Sequence, residues 1–133
     1  MTGQATRDFA LQIDSEWAAM QGDIRDAIMI VANEAVERSK QKSPVDLGTF
    51  RANWVLSIGE PDTSTTTDLA GFATKNAGAL AAYAAADGFP IIFVSNNLPY
   101  ALRLENGWSG QAPNGILALT VVELEALWNG MQV

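Results

Sequence analysis

Eight apolar residues, Phe9, Ile13, Trp17, Met20, Ile24, Ile28, Val31 and Ala35, recur at spacings of three and four, and no proline interrupts them before Pro44. That unbroken stripe predicts an amphipathic helix over residues 6–42, roughly 50 Å long at 1.5 Å per residue. A chain of 133 residues fills one compact domain with a modest core, so residues 1–133 read as a single unit. The helix is longer than such a domain needs for packing against itself. Phe9, Ile13 and Trp17 are therefore expected to meet a neighbouring subunit. Gly22 leaves room for a bend and two shorter helices. Arg38, Lys40 and Lys42 fall in the last turns, where positive charge complements the carboxyl end of the helix dipole.

Beyond the helix the pattern changes. Ser43-Pro44 forces an extended or turn backbone, Asp46 can accept backbone N–H groups, and Gly48 permits positive φ, which together make a rigid corner. Trp54, Leu56 and Ile58 alternate with Val55 and Ser57 along a short strand that ends at Gly59. Residues 61–68 are polar and threonine-rich and read as an exposed loop. Residues 69–87 form an alanine-rich helix with Gly88 as its stop, and Ile91 to Val94 a buried strand closed by Asn96 and Asn97. A helical turn follows Pro99, then a glycine-rich loop. Leu117, Thr120, Leu124, Leu127 and Met131 mark a terminal helix. The expected class is α+β, with a long N-terminal amphipathic helix, a small mostly antiparallel sheet, an Ala-rich middle helix and a C-terminal helix.

Composition closes most routes to catalysis. The chain has no cysteine and no histidine, which removes thiolate sites, the commonest metal ligand and the commonest general base. No apolar run is long enough to span a bilayer, and no signal-peptide layout opens the chain, so a cytoplasmic site of synthesis without a membrane partner is expected. Eight basic against fifteen acidic residues give a net charge of −7. Residues 1–42 carry net −2, and residues 43–133, with only Arg51, Lys75 and Arg103 against eight acids, carry net −5. Such a surface repels DNA phosphates.

Each chemical candidate has a plainer reading beside it. Asp46 and Glu105 would make an acid–base pair only if the fold brought them together. Ser95, Ser109 and the threonines of residues 63–67 lack a histidine base, and no nucleophile elbow is present. Asp62 and Asp68 offer oxygen ligands but not the spacing of a calcium loop. No catalytic residue, metal site or cofactor is expected. Trp108, among glycines, is either tucked over the core or presented to a partner.

Two blocks, KSPVDLGTFRANW (residues 42–54) and IFVSNNLPYALRLENGWSGQAPNGILALTV (residues 92–121), resemble the signature segments of bacteriophage neck and tail-completion proteins, the group that includes the minor tail protein Z type of lambda-like phages. Pro44, Val45, Asp46, Gly48 and Arg51 match the first segment, with Leu47 where the family usually has threonine. Asn96, Pro99, Tyr100, Ala101, Glu105, Gly107, Ser109, Ala112, Pro113 and Gly115 match the second. With the long first helix the likeness covers the chain except residues 59–90.

The resemblance implies a non-enzymatic ring subunit of the virion, a hexamer made in the bacterial host cytoplasm and placed at the head–tail junction or the upper end of the tail. Its implied partners are copies of itself, a head-completion or connector protein, and the tail tube or tail terminator, with double-stranded DNA passing unbound. Tyr100 and Glu105 are then interface candidates, or a tyrosine on the sheet bonded through its hydroxyl to that carboxylate. In such a ring the acidic loop 61–68 is expected at the channel or its rim. The competing readings are a monomeric phage adaptor and a small lytic hydrolase.

Overall fold

The computed structural model describes residues 2–45, 48–107, 110 and 114–131. Helix α1 (Thr2–Lys42) runs its 41 residues without interruption, so Gly22 introduces no break. It is followed by α2 (Thr49–Ala52), β1 (Trp54–Ile58), α3 (Ala73–Ala85), β2 (Ile92–Asn96), α4 (Ala101–Glu105) and α5 (Leu117–Gly130). The class is α+β, as the periodicities predicted.

The stripe on α1 has an internal period. Its spacings run four, four, three and repeat, an eleven-residue period of 3.67 residues per turn that stays nearly straight along a helix. Phe9, Ile13 and Trp17 therefore lie above Met20, Ile24 and Ile28 on one continuous face. In the C-terminal half the most buried positions are offset by one residue, at Ala27, Ala32, Val36 and Ser39, while Ile28, Val31 and Ala35 are half-buried. Small side chains at the offset positions let the sheet approach the helix closely. The core joins Ala32 and Val36 to Phe50, Trp54, Leu56 and Ile116.

The two strands pair antiparallel, Trp54 opposite Asn96 and Ile58 opposite Ile92. On β1 the outward-facing main chain is closed by a side chain. Asn76 of α3 donates from Nδ2 to the Trp54 carbonyl at 3.1 Å and accepts the Leu56 N–H at 2.8 Å, taking the place of a third strand. β2 was expected to be buried, but all five of its residues are half-buried. A sheet of two strands has no further layer to cover its second member. The alanine-rich helix is also shorter than expected. It starts at Ala73, after a turn, and ends at Ala85, where Ala86 is extended.

Residues 61–68 form a loop, as their composition predicts, and every second residue over 62–66 turns inward to hydrogen bonds. Asn53 exchanges two hydrogen bonds with Thr66, donating to its carbonyl at 3.0 Å and accepting its N–H at 2.9 Å. Asn97 donates to the carbonyls of Asp62 and Ser64, at 2.7 and 3.1 Å. Two amide side chains thus hold the segment against the sheet, and Asp62, Ser64 and Thr66 are half-buried. Gly48 has φ +73°, as the corner requires, and its carbonyl accepts the Ala52 N–H at 3.0 Å.

α5 lies antiparallel on α1. Glu123 meets Lys42 and Arg38, Trp128 borders Ile28 to Ala35, and Met131 reaches Asp23 and Ala27. Cover along α1 therefore ends near residue 23.

Candidate assembly surface

Residues 3–20 of α1 are exposed without exception, a helical arm about 27 Å long. Its polar face carries i,i+4 hydrogen bonds from Gln4 to Asp8 and from Gln12 to Glu16, which suit a solvated helix. Its other face does not. Phe9 is 64% exposed, Ile13 48%, Trp17 55% and Met20 46%. A contiguous apolar row of this size on a protein surface marks a contact site. Phe9, Ile13 and Trp17, which the sequence reading expects to meet a neighbour, are each about half exposed in the single chain.

A second uncovered surface escaped the sequence reading. α5 buries only Thr120 fully, while Leu117, Leu119, Val121, Val122 and Trp128 are exposed. The periodic reading used only the stripe Leu117, Thr120, Leu124, Leu127 and Met131 to mark the helix. The signal was present, because LALTVVELEALW is apolar around most of its circumference, which is unusual for a surface helix. Between α5 and β2, over α1, lies an apolar groove of about 220 Å³ lined by Ile28, Val31, Ala32, Ala35, Ile92, Val94 and Trp128.

Of the described residues singled out in the two sequence blocks, Pro44 and Gly115 are buried, Gly48, Arg51, Asn96, Glu105 and Gly107 half-buried, and Val45, Pro99 and Tyr100 exposed. Phe50 and Trp54 of the first block and Asn96, Pro99 and Glu105 of the second line one cavity of about 360 Å³. Asn96 donates to the Phe50 carbonyl at 2.9 Å, joining the blocks directly. Tyr100 lays its ring on Phe50 with centroids 6.0 Å apart. It does not bond the Glu105 carboxylate, which instead closes the start of α5. Glu105 accepts the backbone N–H groups of Ile116, Leu117 and Ala118, at 2.9, 2.7 and 2.9 Å. These N–H groups have no partner inside the helix, and a carboxylate there also meets the positive end of its dipole.

Within the subunit Glu105 therefore caps and docks α5. Gly115, with φ +88°, leaves the space in which this carboxylate lies. Pro44 is buried, Val45 is exposed, and Arg51 holds a buried Nε with no hydrogen-bond partner among the described residues. Gly107 has φ +83° beyond α4. Asp46, Trp108 and Pro113 lie outside the described residues, so the Asp46–Glu105 pairing and the position of Trp108 lie there as well.

Among the described residues no cluster of acidic side chains is arranged to hold a metal ion, and no helix is long and apolar enough to cross a membrane. Asp62 is engaged by Lys75 and by the Ser64 hydroxyl and N–H, and the Lys75 hydrogen bond, then those from Ser64, hold its carboxyl down to about 2. Glu123 is lowered as well, first by its hydrogen bond from Lys42.

These shifts fix the direction of an acid effect. A carboxylate whose folded pKa is depressed stabilises the fold above its unfolded pKa, about 3.9 for Asp. That contribution falls away as pH drops toward the folded value. Thermal melting is therefore expected to weaken between about pH 4 and 2, with a shallower decline in Asp62→Asn. Superimposable acid limbs for parent and variant would contradict this reading of the 61–68 segment.

Comparison with protein-family models, with curated proteins and with solved structures finds no match for this chain.

Proposed function

We propose that this chain is a structural virion subunit of a long-tailed bacteriophage. It assembles with copies of itself into a ring at the head–tail junction or the upper end of the tail, joins head to tail and lets the genome pass. The single observation that carries the self-assembly is the arm, whose apolar face is left exposed among the described residues. An exposed apolar row of this kind gains stability when a neighbour removes it from water.

Two further features support the phage reading. The two sequence blocks that resemble the neck and tail-completion proteins meet around one cavity, so they belong to one structural unit. The net charge of −7 disfavours phosphate binding, which suits a ring through which DNA slides without sticking. The acidic segment 61–68 belongs in this account at the channel or its rim, and the partners above and below are a connector protein and the tail tube or terminator.

Mass spectrometry of purified virions made by the phage that encodes the chain tests the reading. The chain is expected as a low-copy virion component, with ring-shaped density at the neck in electron micrographs. Its absence from virions that contain head and tail would overturn the proposal.

A further inference from the structure

We propose that the outer edge of β2 is a strand-addition site, which takes an extended segment of a partner polypeptide as a third strand of the sheet. The site belongs to the single chain, so it stands whether or not the chain forms a ring.

The register fixes which groups are open. The Trp54 carbonyl and the Leu56 N–H point away from β2, because Asn76 of α3 holds both. In an antiparallel ladder, opposed residues alternate between pairs that bond each other and pairs whose main-chain groups face outward on both strands. Leu56 stands opposite Val94 and Ile58 opposite Ile92, so the N–H and C=O groups of Val94 and Ile92 face the outer side of β2. The Gly59 N–H, donated to the Ile91 carbonyl at 2.7 Å, keeps the same alternation. Among the described residues no hydrogen bond reaches the outward groups of Ile92 and Val94.

The two edges of the sheet thus differ. On β1 the Asn76 side chain stands in for a neighbouring strand. β2 has none of the features that protect an edge from pairing: residues 91–95 contain no charge and no proline, and the pairing with β1 has no bulge.

A strand added there meets apolar surface as well. Beside the edge runs the groove of about 220 Å³, floored by Ile28, Val31 and Ala35 of α1 and walled by Trp128. Every second side chain of an added strand turns toward α1. A groove of that size admits side chains such as alanine and valine rather than a row of large rings.

The open main chain also narrows the occupant. A helix bonds its own N–H and C=O groups internally and has none to give an edge, which excludes the arm of a second copy. No extended segment of the described residues is free to serve: β1 is closed on both sides, and residues 61–68 are held by Asn53 and Asn97. A second copy's β2 would carry its β1 about 10 Å beyond the edge. Trp128 of α5, which lines one small groove with Val94, stands in that space. The occupant is therefore a strand of another protein, small and apolar at alternate positions. Residues 43–133 carry net −5, which favours lysine or arginine on its flanks. Such strand addition draws affinity from the main chain and selectivity from the alternate side chains.

The probe is a synthetic seven-residue peptide that alternates valine and threonine between terminal lysines. It is offered to the full chain at up to about 5 mM, which reaches dissociation constants in the millimolar range. Amide hydrogen exchange, read residue by residue by NMR, is expected to slow at least about threefold at Ile92 and Val94. The same peptide N-methylated throughout keeps its side chains, loses every donor and should give no protection.

Unchanged exchange at Ile92 and Val94 at the highest peptide concentration would overturn the proposal. Equal protection by the N-methylated peptide would overturn it too, by showing contact through side chains alone. Protection that rises with protein concentration and needs no peptide would place a second copy on the edge and overturn the choice of occupant.

Discussion

Gly115→Val is expected to destabilise the domain by about 2–5 kcal/mol, combining backbone strain with the loss of a helix cap. A Cβ at this position would lie 2.7 Å from the Glu105 carbonyl oxygen and 3.0 Å from its Oε1. The first of these atoms is main chain and cannot move aside cheaply. The second belongs to the carboxylate that holds the three N–H groups at the start of α5, so the substitution disturbs the cap as well as the φ of +88°. Ile116, among the most buried side chains, follows directly and would be displaced with it. Thermal melting checks this, with Gly78→Ala as the control, since nothing lies within 4 Å of a Cβ there. A Gly115→Val protein that melts with its parent would show that α5 is not docked through Glu105.

Trp54→Ala carries the other large effect, a loss of about 3–5 kcal/mol. The side chain is 2% exposed and meets Phe50 edge to face, with centroids 5.7 Å apart and planes at 74°. Its indole N–H donates to the Ser43 hydroxyl at 2.8 Å, and that hydroxyl donates to the Ser39 carbonyl at 2.7 Å. This short relay ties the end of α1 to the start of the sheet. Removing the indole leaves a cavity and loosens the corner at once. Trp54→Phe retains most of the apolar volume and loses the relay, so it should fall between parent and Trp54→Ala in urea unfolding. Equal midpoints for Trp54→Ala and the parent would contradict the packing described for the core.

The long helix was legible because its stripe needs only the spacing of apolar side chains, and that spacing is fixed by helical geometry. β1 was legible for the same reason with period two. What could not be read were the contacts of the amides. Asn53, Asn76 and Asn97 look alike in sequence, yet Asn76 closes a strand edge while the other two hold the 61–68 segment, and only tertiary proximity distinguishes those roles. The match of Glu105 to the second sequence block likewise says nothing of the helix start eleven residues later that it caps. The arm could be inferred from its excess length over the domain. The apolar groove could not, since it combines α1, β2 and α5, whose relative placement no local pattern encodes.

In the proposed ring the apolar face of the arm, exposed within one subunit, is covered by a neighbouring subunit. A reconstruction of the virion at side-chain detail is expected to show Phe9, Ile13 and Trp17 enclosed by residues of an adjacent copy. The proposed ring would be contradicted by the same three side chains packed wholly within their own subunit, or left facing solvent in the finished particle.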